Sequence, residues 1–82
     1  MINQKVYIFD IDGTLTPPRQ KINKQFASFF ASFCEQKPVF LATGSDYKKV
    51  KEQITPDIVS KVHGIFTCMG NELWINDEKV YF

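Results

Sequence analysis

A short apolar run that ends in two carboxylates constrains this chain more than any other feature of its sequence. Residues 6–9 suit a buried strand, and Asp10 and Asp12 follow, separated by one residue. Because alternate residues of a strand point the same way, both carboxylates can project together where the strand ends. Two like charges so close repel each other unless a cation, a shared proton or open water relieves the repulsion. The carboxyl end of a strand is also where open α/β sheets bind ligands, so the pair predicts a binding site there.

The rest of the sequence alternates strand and helix patterns, which predicts a parallel sheet with helices on its faces. Asn23 is a suitable N-cap for the first helix, and Ser45 or Asp46 for the second. Asn76-Asp77 interrupts an alternating pattern and is typical of a hairpin turn. The predicted elements are strands over 5–10, 39–42 and 64–68, helices over 22–36, 46–54 and 56–61, and a hairpin over 72–82. The first helix is expected to bury a stripe formed by Ile22, Phe26, Phe29, Phe30 and Phe33.

Composition narrows the class of protein. The 82 residues suggest a single truncated or minimal domain over 1–82, with a net charge of +1. Acids and bases are mixed along the chain, so we expect neither a nucleic acid nor a membrane as partner. Cys34 and Cys68 form no CxxC motif and are interpreted as free thiols of a cytoplasmic protein. No signal-peptide pattern is present, and no apolar stretch approaches the ~20 residues that span a bilayer.

The order of the predicted elements corresponds to about half of a doubly wound α/β domain. Such a half exposes sheet edges and apolar surface. We therefore expect a homo-oligomer, or a partner chain that covers the exposed sheet edge.

Two motifs give the sequence a resemblance to a known family. Asp10-Ile11-Asp12-Gly13-Thr14 matches the DxDGT motif of the haloacid dehalogenase-like (HAD) phosphohydrolase superfamily. Residues 9–22 resemble the start of eukaryotic-type phosphomannomutases, and residues 44–50 with Glu52-Gln53 resemble their second segment. The resemblance runs from about residue 6 to residue 67. It implies a capless, partial HAD-like Rossmannoid domain with three αβα layers, a short parallel sheet and a C-terminal β-hairpin.

The resemblance also implies a chemistry, which is phosphoryl transfer through an aspartyl-phosphate. It assigns the nucleophile to Asp10 and the general acid and base to Asp12. It places Mg²⁺ between the Asp10 carboxylate and the backbone carbonyl of Asp12. Thr14 is expected at the phosphate site, where it orients the Asp10 carboxylate.

The same resemblance implies a phosphate-binding segment after the second strand. Thr43 best fits the Ser or Thr that binds the transferring phosphate, while Ser45 is the residue shared with the phosphomannomutases. The N–H groups of Gly44 and Ser45 are expected to hold phosphate oxygens. Helix capping is the alternative role for Thr43 and Ser45. Arg19 matches an arginine that contacts the sugar phosphate, and its alternative is a solvated loop position.

These expectations lead to three hypotheses about function. The first is a Mg²⁺-dependent HAD-type phosphatase that acts on a small phosphomonoester, with a sugar phosphate as the first choice. The superfamily also uses a downstream Lys or Arg and a downstream acidic pair, which belong to sequence beyond residue 82. The second hypothesis is therefore a non-catalytic phosphomannomutase-like module, and the third is half of a split enzyme completed by another chain. Phosphomannomutase activity by this chain alone is not expected.

Overall fold

Five strands form one sheet whose spatial order follows their order along the chain. The computed structural model describes residues 5–17 and 20–81. The strands are β1 Tyr7–Asp10, β2 Val39–Ala42, β3 Gly64–Thr67, β4 Glu72–Ile75 and β5 Glu78–Val80. The helices are α1 Lys24–Gln36, α2 Tyr47–Gln53 and α3 Pro56–Lys61. The alternation of strands and helices predicted from the sequence is confirmed, with ends that differ by at most two residues.

The first three strands are parallel, and β4 and β5 continue the sheet in antiparallel pairing. Asp10 pairs with Ala42, and Ala42 pairs with Phe66, so the carboxyl ends of β1, β2 and β3 lie at one edge. The predicted α/β class, the short parallel sheet and the C-terminal hairpin are confirmed. The hairpin turns at Asn76 and Asp77, which both have positive φ (50° and 69°), as a tight two-residue hairpin turn requires.

Each described helix begins at a side chain that accepts hydrogen bonds from the first turn. The side-chain oxygen of Asn23, Oδ1, accepts from the backbone N–H groups of Gln25 and Phe26. Thr55 caps α3, in which Pro56 occupies the first position. For α2 the sequence left Ser45 and Asp46 open as caps, and the structure has Asp46, whose carboxylate accepts from the Lys49 N–H at 2.9 Å.

The core lies between the sheet and the helices, which share one of its faces. Tyr7 and Phe9 of β1 present their rings edge-on to aromatic rings of α1. Helix α1 contacts α3, and Tyr47 of α2 stacks on Trp74 at 4.0 Å between ring centroids. The largest fully buried side chains are those of Ile11, Leu41, Ile58, Ile65, Val39, Val50 and Thr67. The described residues thus supply the sheet and one helical layer.

The stripe expected on α1 is wrong in part. Phe29 is 67% exposed and Phe26 is 38% exposed. The buried face consists instead of Ala27, Phe30, Ala31 and Cys34. Because this buried face is centred near Ala27 and Ala31, Phe29 lies on the opposite side of the helix and points outward. Large apolar residues at helical spacing therefore located the helix but not the centre of its buried face.

The face of the sheet opposite the helices is apolar. Ile8 is 65% exposed there. Phe40 and Leu73 lie so close to Gly64 that a Cβ added at Gly64 would be 2.9 Å from the Phe40 ring and 3.0 Å from Leu73.

Among the described residues, no helix is long and apolar enough to cross a membrane. Both cysteines are free thiols.

Candidate functional site

A tight turn after β1 places Asp12 beside the end of the strand. The Ile11 carbonyl accepts hydrogen bonds from the N–H groups of Thr14, Leu15 and Thr16. The Gly13 N–H donates to the Thr16 carbonyl at 2.8 Å, and Gly13 has a φ of +80°, a conformation that favours glycine. The chain therefore winds around one carbonyl just beyond β1.

The two carboxylates of the motif differ in their surroundings. Asp10 ends β1 and is exposed, whereas Asp12 is half-buried. The side-chain amide of Gln53, at the end of α2, donates to Asp12 Oδ1. Thr14 is exposed, and its backbone N–H donates to the Ile11 carbonyl at 3.3 Å. Its predicted orienting role stays a prediction.

Thr43 and Ser45 form a small hydrogen-bonded turn at the end of β2. Thr43 is buried, and its hydroxyl oxygen accepts from the Ser45 N–H at 3.1 Å. The Thr43 N–H donates to the Phe66 carbonyl at 2.9 Å, which extends the pairing of β2 with β3 by one residue. Because the Ser45 N–H donates to the Thr43 oxygen, the hydroxyl proton of Thr43 is directed away from Ser45.

The loop between β3 and β4 braces this turn. The Cys68 N–H donates to the Ser45 carbonyl at 2.9 Å, and the Met69 N–H donates to the Thr43 carbonyl at 3.2 Å. Cys68 and Met69 have positive φ values of 52° and 60°, which non-glycine residues rarely adopt. A Cβ added at Gly44 would lie 3.1 Å from Met69 Sδ, so the glycine permits the close approach of the two loops.

Glu72 connects the strands at the same edge. Its Oε1 accepts from the Thr67 hydroxyl at 3.0 Å and from the Trp74 indole N–H at 3.3 Å, and its Oε2 lies 3.2 Å from Lys79 Nζ. The hydrogen bond from Lys79, followed by those from Thr67 and Trp74, lowers the pKa of Glu72. The carboxylate therefore stays ionised and holds β4 against β3 and β5.

The structure brings most of the predicted site residues to the carboxyl edge of the three parallel strands. The residues at this edge are Asp10, Asp12, Thr14, Thr43, Gly44 and Ser45. Arg19 lies outside the described residues. Sequence reasoning missed Gln53 as part of the site. A pattern in the sequence could have indicated this role. Gln53 is a polar residue that lies between two inward-facing residues, Val50 of α2 and Ile54, which directly follows the helix.

The donors present fit a divalent cation only in part. The Asp10 carboxylate and the Asp12 backbone carbonyl are hard oxygen donors of the kind that Mg²⁺ prefers. The described residues gather no cluster of three or more His, Cys, Asp or Glu side chains that could hold a metal ion. Mg²⁺ takes six ligands, so these two donors leave further positions to water, substrate or other protein groups.

Proteins of known structure share this fold. No protein-family model matches the chain. A protein from Eubacterium rectale superposes on 94% of this chain with a TM-score of 0.78 and 20% identity, which covers 29% of that protein. A sugar phosphatase of HAD subclass IIB superposes on 95% of this chain with a TM-score of 0.66 and 23% identity, which covers 31% of that enzyme. The chain therefore has the Rossmannoid α/β fold of HAD-superfamily phosphatases.

The sequence relationship is more specific than the fold. The chain is 38% identical to phosphomannomutase 1 of Homo sapiens over 65 residues, which cover 77% of this chain and 25% of that enzyme. It is 32% identical to phosphomannomutase 1 of Dictyostelium discoideum over 70 residues, which cover 85% of this chain and 28% of that enzyme. The predicted resemblance is confirmed: this chain is a homologue of the N-terminal part of the phosphomannomutases. It spans about a quarter of the length of these curated relatives.

Proposed function

We propose that this chain carries the nucleophile and phosphate-binding half of a Mg²⁺-dependent phosphoryl-transfer site for small phosphomonoesters, with sugar phosphates as the first substrate class. The observation that carries the proposal is the shared edge, where Asp10 ends β1, Asp12 lies in the turn after it, and Thr43 directly follows β2. The similarity to phosphomannomutases and the shared fold with a sugar phosphatase support the substrate class.

The proposed reaction has two balanced steps. In the first, a carboxylate oxygen of Asp10 attacks phosphorus, the bond to the ester oxygen breaks, and Asp12 gives its proton to the leaving oxygen. In the second, water attacks the aspartyl-phosphate, Asp12 takes the proton, and the Asp10 carboxylate and inorganic phosphate are released. A bound Mg²⁺ would neutralise charge on the transferring group, with the Asp10 carboxylate and the Asp12 carbonyl as its ligands.

The exposure of the two acids supports this division of roles. Asp10 is exposed at the end of β1, as a nucleophile that must meet a substrate requires. Asp12 is half-buried and accepts a hydrogen bond from Gln53, which suits a group that must hold one orientation to pass a proton.

Thr43 is proposed as the phosphate anchor. Since its oxygen already accepts from the Ser45 N–H, the hydroxyl proton is available for an acceptor outside that turn, such as a phosphate oxygen. The N–H groups of Gly44 and Ser45 are the second predicted phosphate contact, and that of Ser45 is engaged with Thr43. Thr14 and Arg19 complete the proposed phosphate and substrate contacts.

Hydrolysis of p-nitrophenyl phosphate tests the catalytic proposal. The purified chain is assayed with and without Mg²⁺ beside Asp10→Asn, which keeps the size of the side chain but removes the nucleophilic carboxylate. Thr43→Val serves as a binding variant and Ser60→Ala, on the exposed face of α3, as a surface control. We expect Mg²⁺-dependent turnover that Asp10→Asn abolishes, that Thr43→Val lowers at least tenfold, and that Ser60→Ala leaves unchanged. Equal rates for wild type and Asp10→Asn would refute the proposal.

A second function, half of a split site, is favoured by the incomplete set of metal donors among the described residues. In this case the remaining ligands and the phosphate-binding cation come from another polypeptide or from a second copy. If a second copy completes the site, the turnover rate per chain would rise with protein concentration. If another polypeptide completes it, turnover would appear only after that complementing segment is added. A stable monomer in sedimentation that turns over substrate at a constant rate per chain would refute this alternative.

A further inference from the structure

A glutamine is buried where α2 meets the turn that carries Asp12. Gln53 is the last residue of α2 and is only 3% exposed, although its long amide side chain is of a type mostly found at the surface. Burial of an amide is unfavourable unless hydrogen bonds replace its contacts with water. The partners of Gln53 therefore explain its position.

Three hydrogen bonds join Gln53 to the turn after β1 and to the chain that follows this turn. Its Nε2 donates to Asp12 Oδ1 and, at 3.5 Å, to the Gln20 carbonyl. Its backbone carbonyl accepts from the Ile22 N–H at 2.7 Å. One residue of α2 thus binds the segment that follows the DxDGT motif at two points and the Asp12 carboxylate at a third.

The other end of the amide shows which contact decides the orientation. Gln53 Oε1 is buried and has no hydrogen-bond partner among the described residues. If the amide were rotated by half a turn, Oε1 would face the Asp12 carboxylate, and two acceptors would oppose each other. The amide therefore keeps its donor on Asp12 and leaves its acceptor unsatisfied, which is unfavourable for folding alone.

We infer that Gln53 is a positioning residue that holds the Asp12 carboxylate in a fixed orientation for proton transfer. The inference rests on the proposed function, in which Asp12 protonates the leaving oxygen. An N–H donated to a carboxylate is a charge-assisted hydrogen bond, stronger and more directional than one between neutral groups. The bond from Gln53 restricts rotation of the carboxylate about its Cβ–Cγ bond.

Substrates with different leaving groups separate positioning from a general loss of structure. An alkyl phosphate, such as a hexose 6-phosphate, needs a proton on its leaving oxygen, whereas p-nitrophenolate leaves without one. Gln53→Met keeps the length of the side chain and removes the donor, and Gln25→Met, at an exposed position of α1, is the matched control. We expect Gln53→Met to lower kcat/KM for the alkyl phosphate at least tenfold more than for p-nitrophenyl phosphate. Gln25→Met should change neither value.

A measurement without turnover tests the contact itself. In ¹⁵N-resolved NMR spectra of the wild-type chain, the Gln53 side-chain amide protons should exchange with water at least tenfold more slowly than those of Gln25. Asp12→Ala should shift the Gln53 amide resonances more than Asp10→Ala does. Both results would support the inference.

The outcomes distinguish the inference from the proposed function. A wild-type chain no more active than Asp10→Asn, with a protected Gln53 amide, would refute the proposed function and support the hold on Asp12. An active wild-type chain in which Gln53→Met lowers kcat/KM equally for both substrates would overturn the inference. Exchange at Gln53 as fast as at Gln25 would also overturn it.

Discussion

Removal of the Trp74 ring tests how the hairpin is held on the helical layer. The indole stacks on Tyr47 with ring centroids 4.0 Å apart and planes within 1° of parallel, and its N–H donates to Glu72. Replacement of a fully buried Trp by Ala lowers the free energy of unfolding by about 3–5 kcal/mol. Because Trp74 is only half-buried, we expect a loss of about 2 kcal/mol for Trp74→Ala. This value includes the stack, which contributes about 0.5–1.5 kcal/mol. The melting temperature should fall by about 10 °C, given the usual entropy of unfolding of a domain of this size.

The assay is urea and thermal unfolding followed by far-ultraviolet circular dichroism, because Trp74 is the only tryptophan and its fluorescence is lost in the variant. Ile75→Ala is the matched control, since Ile75 is the next residue of β4, points to the opposite face and is 43% exposed. It should cost under about 1 kcal/mol. If Trp74→Ala destabilised the chain no more than Ile75→Ala, the stack would not hold the hairpin, and the reasoning would be refuted.

Three further predictions follow from single residues. Burial, and then the hydrogen bond to Asp77, raises the pKa of Tyr47 to about 12 from 10.0, so the folded state keeps a proton that the unfolded chain loses. The free energy of unfolding should therefore decline between pH 10 and pH 12. Over this range the urea midpoint of Tyr47→Phe should decline less than that of the wild type. Burial raises the pKa of Cys34 to about 11, so iodoacetamide at pH 8 should alkylate the half-exposed Cys68 before Cys34, as mass spectrometry of native protein would show; the reverse order would contradict this. Gly13→Ala should destabilise the chain by about 1–2 kcal/mol in urea unfolding because alanine is strained at a φ of +80°, and an unchanged midpoint would contradict that argument.

Local sequence patterns were sufficient for the elements and for the edge at which the acids lie. β2 is short and apolar and has the predicted bounds, 39–42, because a buried parallel strand leaves little choice of pattern. Thr55 and Pro56 fixed the start of α3 through capping and the preset φ of proline. Parallel pairing then places Asp10 beside Ala42, and Thr43 immediately beyond it. The position of the candidate site therefore follows from features that each occupy only a few residues.

Contacts between distant loops were not predictable in the same way. Gln53 and Asp12 are 41 residues apart, and their hydrogen bond depends on how α2 packs against the turn after β1. The outward position of Phe29 likewise depends on which side of α1 is buried, which is the side that carries Ala27 and Ala31. In each case the spacing along the helix is compatible with several rotations about its axis, and tertiary packing selects one of them.

The loop between β3 and β4 shows how the site depends on residues outside its motifs. The resemblance to the phosphomannomutases that the sequence predicts ends at about residue 67, before this loop, yet the loop's N–H groups donate to the carbonyls of Thr43 and Ser45. These bonds require the chain to reverse within Cys68 and Met69, both with positive φ, at a cost that only the surrounding contacts can offset. Glu72 supplies such contacts by joining the end of β3 to β4 and β5. The hairpin thus stabilises the turn in which Thr43 presents its hydroxyl proton, so the phosphate-binding geometry proposed for β2 is coupled to the docking of β4 and β5.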